Sequence, residues 1–197
     1  SLNVEVAELL VDETAALEIQ DVRDPEFNSV WQLHEEGTLN LGYTDSAVWM
    51  KFRVQGDRAS VEPWILEIAY ANLDHIDVWL YAEERLLSAY ETGDSLPFLT
   101  RPIEHRNFLI PLPANNDEPI TVILRVASTT SLQVPLTLWP QDVFYRTDQK
   151  VQLIQGMFFG IMVVMAIYNL FIYLVIRERA YLFYVLFVVM EGSYQAF

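Results

Sequence analysis

The 197-residue sequence lacks cysteine and has only three histidines. Without cysteine there are no disulfide bonds and no thiolate ligands, and three widely spaced histidines argue against a histidine-based metal site. A domain of about 140 residues can still bury enough apolar surface to fold without disulfides. The composition is therefore compatible with an exported domain in a bacterial periplasm.

Basic residues are also scarce, because 12 lysines and arginines stand against 27 acidic residues and give a formal net charge of −15. Among the charged residues, only Arg177, Glu178, Arg179 and Glu191 lie beyond position 150, so the excess negative charge belongs to the residues before it. Such a surface repels phosphate backbones and argues against nucleic acid as a partner. The same surface attracts cations.

Charged side chains are absent from residues 151–176. A hydrocarbon layer about 30 Å thick is crossed by roughly 20 apolar residues in a helix, so this segment predicts a membrane span. A basic link held between two spans stays in the cytoplasm, whereas large domains cross largely regardless of charge. The predicted layout is a periplasmic domain at 1–142, a juxtamembrane linker at 143–150, inner-membrane helices at 151–176 and 181–197 (the second incomplete), and a cytoplasmic turn at 177–180.

Short strand-like runs alternate with turn signals through the soluble part of the sequence. Many short strands without intervening helices predict a mainly β fold, here a jelly-roll β-sandwich followed by transmembrane α-helices. Asp24 followed by Pro25 predicts the start of a short helix at 24–33. The predicted strands are 4–11, 48–54, 64–70, 75–81, 85–90, 105–112, 119–126 and 132–138.

Alternation along these strands divides their side chains between two faces. One face is apolar, for example Ile76, Val78 and Leu80, and is predicted to form the core. The other face combines aromatic rings, which stack on sugars, with charged groups that hydrogen-bond hydroxyls, and it predicts a carbohydrate site. The alternative is a solvated face on which opposite charges pair. The candidate residues on this face are Trp49, Lys51, Arg53, Glu67, Asp77, Trp79, Arg106 and Arg125.

The stretch from 93 to 106 brings positive charge into this acidic domain through Arg101, His105 and Arg106. It predicts a clamp for an anion or glycan, or else a loop held by arginine–carboxylate bonds such as one between Arg101 and Asp94.

Calcium is the candidate cofactor, since it takes about six to eight oxygen ligands from loop carboxylates and carbonyls and suits an acidic domain. The sequence has no compact calcium-binding motif, and the candidate carboxylates lie in separate predicted loops. They are Asp45, Asp74 and Asp94.

Several stretches resemble a known family. VWMKFRV, WILEIAYANLDHIDVWLY, TGDSLPFLTRPIEHRNFLIPL and ILRVASTTSLQVPLTLW are similar to the type-two extracellular module of the seven-transmembrane receptors with diverse intracellular signalling modules. GMFFG, YNLF, RER and YLFY then resemble the start of that family's membrane region. The resemblance implies a bacterial inner-membrane sensor with a periplasmic jelly-roll module, of which hybrid sensor histidine kinases are examples. A carbohydrate ligand is implied for the module by analogy of fold.

Three functions remain open at this point: a sensory input module, a membrane-tethered enzyme acting on polysaccharide, and a protein-interaction domain. The sequence contains no nucleophile elbow, metal motif or phosphate-binding loop, which favours the sensor over the enzyme. The expected partners are a small periplasmic ligand (a carbohydrate or a cation), membrane lipid, and a second copy or a partner receptor.

Overall fold

The computed structural model describes residues 3–4, 8–33, 39–55, 63–113 and 118–196, with backbone alone for 3, 4 and 196. The chain divides into two compact units at 1–141 and 142–197.

The first unit consists of antiparallel strands. Their described bounds are β1 (Asn3–Val4), β2 (Glu8–Asp12), β3 (Gln32–Leu33), β4 (Leu39–Tyr43), β5 (Ala47–Gln55), β6 (Trp64–Ile68), β7 (His75–Ala82), β8 (Arg85–Thr92), β9 (Phe108–Leu112), β10 (Ile120–Ala127), β11 (Ser131–Val134) and β12 (Leu136–Pro140). Between β2 and β3 lie a one-turn helix α1 (Ile19–Val22) and a 3₁₀ helix (Pro25–Ser29), and a second 3₁₀ helix (Phe98–Thr100) precedes β9.

The strands form two facing layers. One layer is a sheet in the order β3-β2-β5-β10-β7-β8, with β1 also paired to β5. The other comprises β12-β6-β9 and the pair β11-β4. The chain crosses between layers repeatedly, and β10 inserts between β5 and β7, as the Greek-key connections of a jelly roll require. The predicted jelly-roll sandwich is confirmed.

The core between the layers follows the predicted alternation. Ile76, Val78 and Leu80 of β7 are fully buried, as are Val122 and Leu124 of β10. Close packing of these side chains against those of β6, β9 and β11 stabilises the sandwich. The apolar face was therefore predicted correctly from period-two alternation alone.

Several elements differ from the prediction in their bounds or in their presence. The run 132–138 is divided into β11 and β12 at Pro135, which has no N–H to continue a ladder. The helix predicted at 24–33 is a 3₁₀ turn that ends at Ser29, although Asp24 caps it by accepting a hydrogen bond from the N–H of Glu26 at 2.9 Å. Strand β4 was not predicted.

The second unit contains α2 (Gln141–Ile176) and α3 (Arg179–Ala196). α2 is a single helix of 36 residues, so the segment 143–150, expected to be a linker, is helical and continuous with the apolar span. Among the described residues, α2 is the helix that is long and apolar enough to cross a membrane. Arg177 ends it in a left-handed conformation (φ 60°), and its N–H donates to the carbonyl of Tyr173 at 2.7 Å.

Candidate functional site

The strand register brings six of the predicted site residues onto one face of the large sheet. Arg125 of β10 lies opposite Trp49 of β5 on one side and Asp77 of β7 on the other. Two residues earlier, Ile123 lies between Lys51 and Trp79. Since alternate residues of a strand share a face, these side chains and that of Arg53 lie on the side of the sheet away from the main core. We call this surface the outer face.

The centre of the outer face is an aromatic stack with an ion pair beside it. The rings of Trp49 and Trp79 are nearly parallel, with centroids 5.5 Å apart and an interplanar angle of 13°. Nη1 of Arg125 lies 3.2 Å from Oδ2 of Asp77, and its guanidinium carbon lies 5.8 Å from the centroid of the Trp49 ring. Burial raises the pKa of Asp77, and Arg125 opposes that shift by stabilising the carboxylate. The opposite charges of Arg125 and Asp77 therefore pair across neighbouring strands.

The outer face is not an open platform, because residues 13–31 pass over it between β2 and β3. We call this segment the strap. Its apolar side chains form a second core with the face beneath, separate from the core between the layers. Trp49 is fully buried there, and Val22 of the strap is 2% exposed. The residues of this second core are Leu10, Leu17, Ile19, Val22, Phe27, Trp31, Trp49, Trp79, Tyr81 and Ile123.

A compact turn begins the strap. The carboxylate of Asp12, which is buried, accepts hydrogen bonds from the hydroxyl of Thr14 at 2.7 Å and from the N–H of Leu17 at 2.9 Å. Burial opposes the charge on Asp12, yet these bonds outweigh it and lower the pKa of the carboxyl group. Ala15 lies within the turn at φ 53°, a left-handed conformation that costs a non-glycine residue about 1–2 kcal/mol. Nη2 of Arg125 donates to the carbonyl of Ala15 at 3.1 Å, so the arginine links the strap to the sheet.

The edges of the strap are held by charged groups over aromatic rings. Arg23 forms an ion pair with Glu84, and its guanidinium carbon lies 4.1 Å from the centroid of Tyr81. Lys51 pairs with Glu8 of β2, and its ammonium lies 4.5 Å from the centroid of Trp31. Because the side chain of Glu84 is 94% exposed, its ion pair adds little to stability.

Three buried donors beneath or within the strap lack a hydrogen-bond acceptor among the described residues. They are Nε1 of Trp49, Nε1 of Trp31 and Nε of Arg125. A buried donor without a partner costs about 1–3 kcal/mol, so the covered arrangement carries an energetic penalty. A ligand with oxygen acceptors placed against this face would remove part of it.

The remaining candidate residues lie elsewhere. Glu67 is on β6, in the other layer, and its carboxylate accepts hydrogen bonds from Nδ2 of Asn107 at 2.6 Å and from Nε1 of Trp139 at 2.7 Å. It therefore does not share a sheet with Trp49 and Asp77, contrary to the expectation from sequence. The contacts of Glu67 tie β6, β12 and the segment before β9 together.

Arg101 organises the loop that leads to β9. Its Nη1 donates to the carbonyls of His105 at 2.6 Å and Arg106 at 2.8 Å, and its guanidinium carbon lies 4.4 Å from the centroid of Phe108. Burial lowers the pKa of Arg101, while the nearby charge of Asp94 acts in the opposite sense. The loop is thus held by an arginine, but its hydrogen-bond acceptors are main-chain carbonyls and not the carboxylate that the sequence suggested.

The three candidate calcium ligands do not form a common site in the described residues. Asp74 accepts hydrogen bonds from the N–H of Thr129 at 2.6 Å and from its hydroxyl at 2.7 Å, and these bonds lower the pKa of Asp74. Asp94 is exposed in the neighbouring turn, whereas Asp45 is exposed in the bend between β4 and β5. Within the described part of the chain, no three acidic or histidine side chains are gathered closely enough to hold a metal ion.

Sequence reasoning missed the strap. Alternation identifies the residues of strands, whereas Leu17, Ile19, Val22, Phe27 and Trp31 belong to short helical turns and irregular backbone. A signal was nevertheless present, because several large apolar residues recur in a segment with no strand of its own, and such residues need a surface to cover.

Comparison with known families agrees with this architecture. Residues 5–140 match the 7TMR-DISM extracellular 2 family, and residues 151–197 match the family described as 7TM diverse intracellular signalling. Comparison with curated proteins gave no match. Since the first family covers most of the chain, the chain belongs to the 7TMR-DISM family. Its first unit is the periplasmic sensing module of a transmembrane signalling receptor, and its apolar helix begins the membrane region.

Proposed function

We propose that this member of the 7TMR-DISM family is the input part of a receptor in the bacterial inner membrane, and that its periplasmic ligand is a carbohydrate bound at the outer face. The observation that carries the proposal is the order of the two family matches, which put an extracellular module directly before a membrane region in one chain. A receptor needs a ligand-binding part on one side of the membrane and a path across it, and this order supplies both.

The membrane part is proposed to cross twice within this chain, through α2 and α3, with the turn at Arg177 in the cytoplasm. The absence of charge from 151–176 and the two arginines beside the turn support this arrangement. In α2, Nδ2 of Asn169 donates to the carbonyl of Met165 at 2.8 Å, which satisfies this polar group within its own helix. In α3, the carboxylate of Glu191 accepts a hydrogen bond from Nε2 of Gln195 at 3.0 Å.

Extraction and proteolysis test this arrangement. The chain expressed in a Gram-negative bacterium is expected to stay with the membrane in alkaline carbonate, and protease added to spheroplasts is expected to remove residues 1–140. Release by carbonate, or protection of the soluble unit in intact spheroplasts, would contradict the proposal.

The chemistry of the outer face supports a carbohydrate. The stacked Trp49–Trp79 pair offers ring surface for the apolar face of a sugar, and Asp77 with Arg125 offers planar groups that bind vicinal hydroxyls. The buried donors at Trp49 and Arg125 would find acceptors in ring and hydroxyl oxygens. Calcium has less support, because its candidate ligands are not gathered at one place in the described residues.

Calorimetry on the detergent-solubilised chain tests the ligand. The probes are a hexasaccharide of neutral glucose units, a hexasaccharide of uronic acid units, and calcium chloride. Saturable binding of a saccharide is expected, with loss of most of the affinity in Trp79→Ala and retention in Tyr43→Ala, which removes a ring that is 84% exposed and lies on β4 of the other layer. Equal loss in both variants, or binding of calcium alone, would refute a carbohydrate site on this face.

The receptor is completed, in this proposal, by a cytoplasmic output domain such as a histidine kinase and by association with a second copy or a partner receptor. A ligand can change such an output only if its affinity differs between two states of the input module.

A further inference from the structure

We propose that the strap is a displaceable cover, and that it competes with the ligand for the outer face. The ligand half of this inference rests on the proposed function, whereas the opening of the strap can be tested without any ligand. The proposed ligand has an apolar ring face, which would pack on the tryptophans of the covered face, and oxygen atoms, which would accept from its donors.

The first argument is that the strap has its own core. Val22 and its neighbours pack on Trp49, Tyr81 and Ile123, whereas the main core lies on the opposite side of the same sheet. Lifting the strap would expose the second core and leave the facing layers of the sandwich in contact. Local opening of this kind is expected where a segment packs in a cluster separate from the main core, since proteins open in contiguous cooperative units.

The second argument is that the strap has little structure that would persist alone. α1 is a single turn of four residues, and the 3₁₀ helix has five. Helices of this length are unstable without tertiary contacts. Besides the apolar packing of the second core, the strap is linked to the sheet by the hydrogen bond from Arg125 to Ala15, by Lys51 over the ring of Trp31 and by the exposed pair Arg23–Glu84.

The third argument is that the covered face contains unmet hydrogen-bonding capacity. Nε1 of Trp49 and Nε of Arg125 are buried without an acceptor among the described residues, and Trp49 is fully buried. Ala15, whose carbonyl receives Arg125, has a left-handed backbone conformation that favours glycine. The strap therefore fills the apolar part of the site but leaves two donors of the face without an acceptor, so a ligand that packs on the rings and accepts from these donors can displace it.

Thiol labelling tests the opening, because the chain has no cysteine of its own. Ile123→Cys places a thiol under the strap, where the native residue is 3% exposed, and the matched control Val122→Cys places one in the main core, where it is 0% exposed. Both residues are on β10, one position apart. In the detergent-solubilised full chain, Ile123→Cys is expected to react with a maleimide about 100-fold faster than Val122→Cys.

A second substitution separates opening of the strap from unfolding of the sandwich. Val78→Ala, in the main core, is expected to speed labelling of Val122→Cys and leave that of Ile123→Cys unchanged, because the contacts of Val78 are lost only when the sandwich unfolds. Equal rates for the two thiols would overturn the inference, because they would mean that the strap lifts only when the whole sandwich unfolds. If Ile123→Cys fails to fold, hydrogen exchange on the wild-type chain replaces it: the N–H of Val22, bonded to the carbonyl of Glu18, should exchange far faster than the β10 amides.

Competition is tested with the saccharide that binds in calorimetry. Binding is expected to speed labelling of Val22→Cys, which moves away with the strap, and to slow labelling of Ile123→Cys, which the ligand covers. Saccharide binding that leaves both rates unchanged overturns the cover and excludes the outer face as the binding site, while the module remains a carbohydrate sensor. If the strap opens rapidly but neither saccharide binds in calorimetry, the result supports a displaceable cover and contradicts a carbohydrate ligand.

Discussion

Gly93 follows β8 and lies against the main chain of the turn that precedes β7. Replacing it tests how closely these two segments approach each other. Its backbone has φ 153°, and a Cβ built there would lie 2.0 Å from the carbonyl oxygen of Asp74. Ordinary Cβ contacts begin at 3.4 Å, and the obstructing atom is main chain, which cannot rotate away. The N–H groups of Asp94 and Ser95 hold the two segments together by donating to the carbonyls of Leu73 at 2.7 Å and Asp74 at 3.2 Å.

The expected cost of Gly93→Ala has two parts. An unfavourable backbone conformation for a non-glycine residue costs about 1–3 kcal/mol, and forcing extra volume against fixed atoms costs about 1–3 kcal/mol. The variant should therefore lose about 4 kcal/mol of unfolding free energy. The control is Gly42→Ala, since Gly42 also has a positive φ of 65° but has nothing within 4 Å of its Cβ position, so it should lose only about 1–2 kcal/mol.

Urea unfolding of the solubilised chain, followed by tryptophan fluorescence, measures both variants. A midpoint shift for Gly93→Ala that is about twice that of Gly42→Ala or more would confirm the steric contribution. If the two variants are equally destabilised, backbone conformation accounts for the whole cost. The close approach of the two segments would then be refuted.

Three further predictions concern the strap and the second layer. Ala15→Gly should raise the unfolding free energy by about 0.5 kcal/mol, because the relief of left-handed strain exceeds the entropy that glycine adds to the unfolded chain; a loss of stability would contradict the turn geometry. Asp12→Asn should lower Tm most above pH 5 and least near pH 3, because a carboxyl whose folded pKa lies below its ordinary value of 3.8 stabilises the fold above that value and loses its contribution as the pH falls through the folded pKa. A pH-independent difference in thermal scans would refute this. Glu67→Gln should cost about 1–3 kcal/mol in urea unfolding, since Asn107 and Trp139 donate to different oxygens of the carboxylate and glutamine replaces one of these oxygens with an NH2 donor; an unchanged midpoint would mean that those hydrogen bonds do not stabilise the layer.

The sandwich was predictable because a half-buried strand has a period of two. In β7, Ile76, Val78 and Leu80 alternate with His75, Asp77 and Trp79, and that alternation indicates both the strand and its buried side. The same rule identified which residues share the outer face, since Trp49, Asp77 and Arg125 lie at matching phases of three strands. It could not show which strands are neighbours, and so it grouped Glu67 with them although β6 belongs to the other layer.

Alternation along strands does not predict which segment of the chain covers a sheet face. The strap has no period, because its contacts come from one turn of helix, a 3₁₀ turn and irregular backbone. Its position depends on single interactions with residues far away in sequence, such as Arg125 with Ala15 and Arg23 with Glu84. The hydrogen-bond acceptors of Arg101 could not be predicted for a similar reason, because every residue has a main-chain carbonyl and the sequence does not show which one accepts.

A receptor module needs two states that a ligand can distinguish, and the outer face provides a physical basis for such a pair. In the covered state Val22 and Trp31 pack in the second core with Trp49, whereas in the proposed uncovered state the face would be open to a ligand that could satisfy its donors. Apparent affinity falls in proportion to the fraction of molecules with the face open, so a face open in about 1% of molecules binds about 100-fold more weakly than a permanently open one. Any substitution that stabilises the strap must therefore weaken ligand binding by the factor by which it reduces opening, even where the substituted residue never touches the ligand.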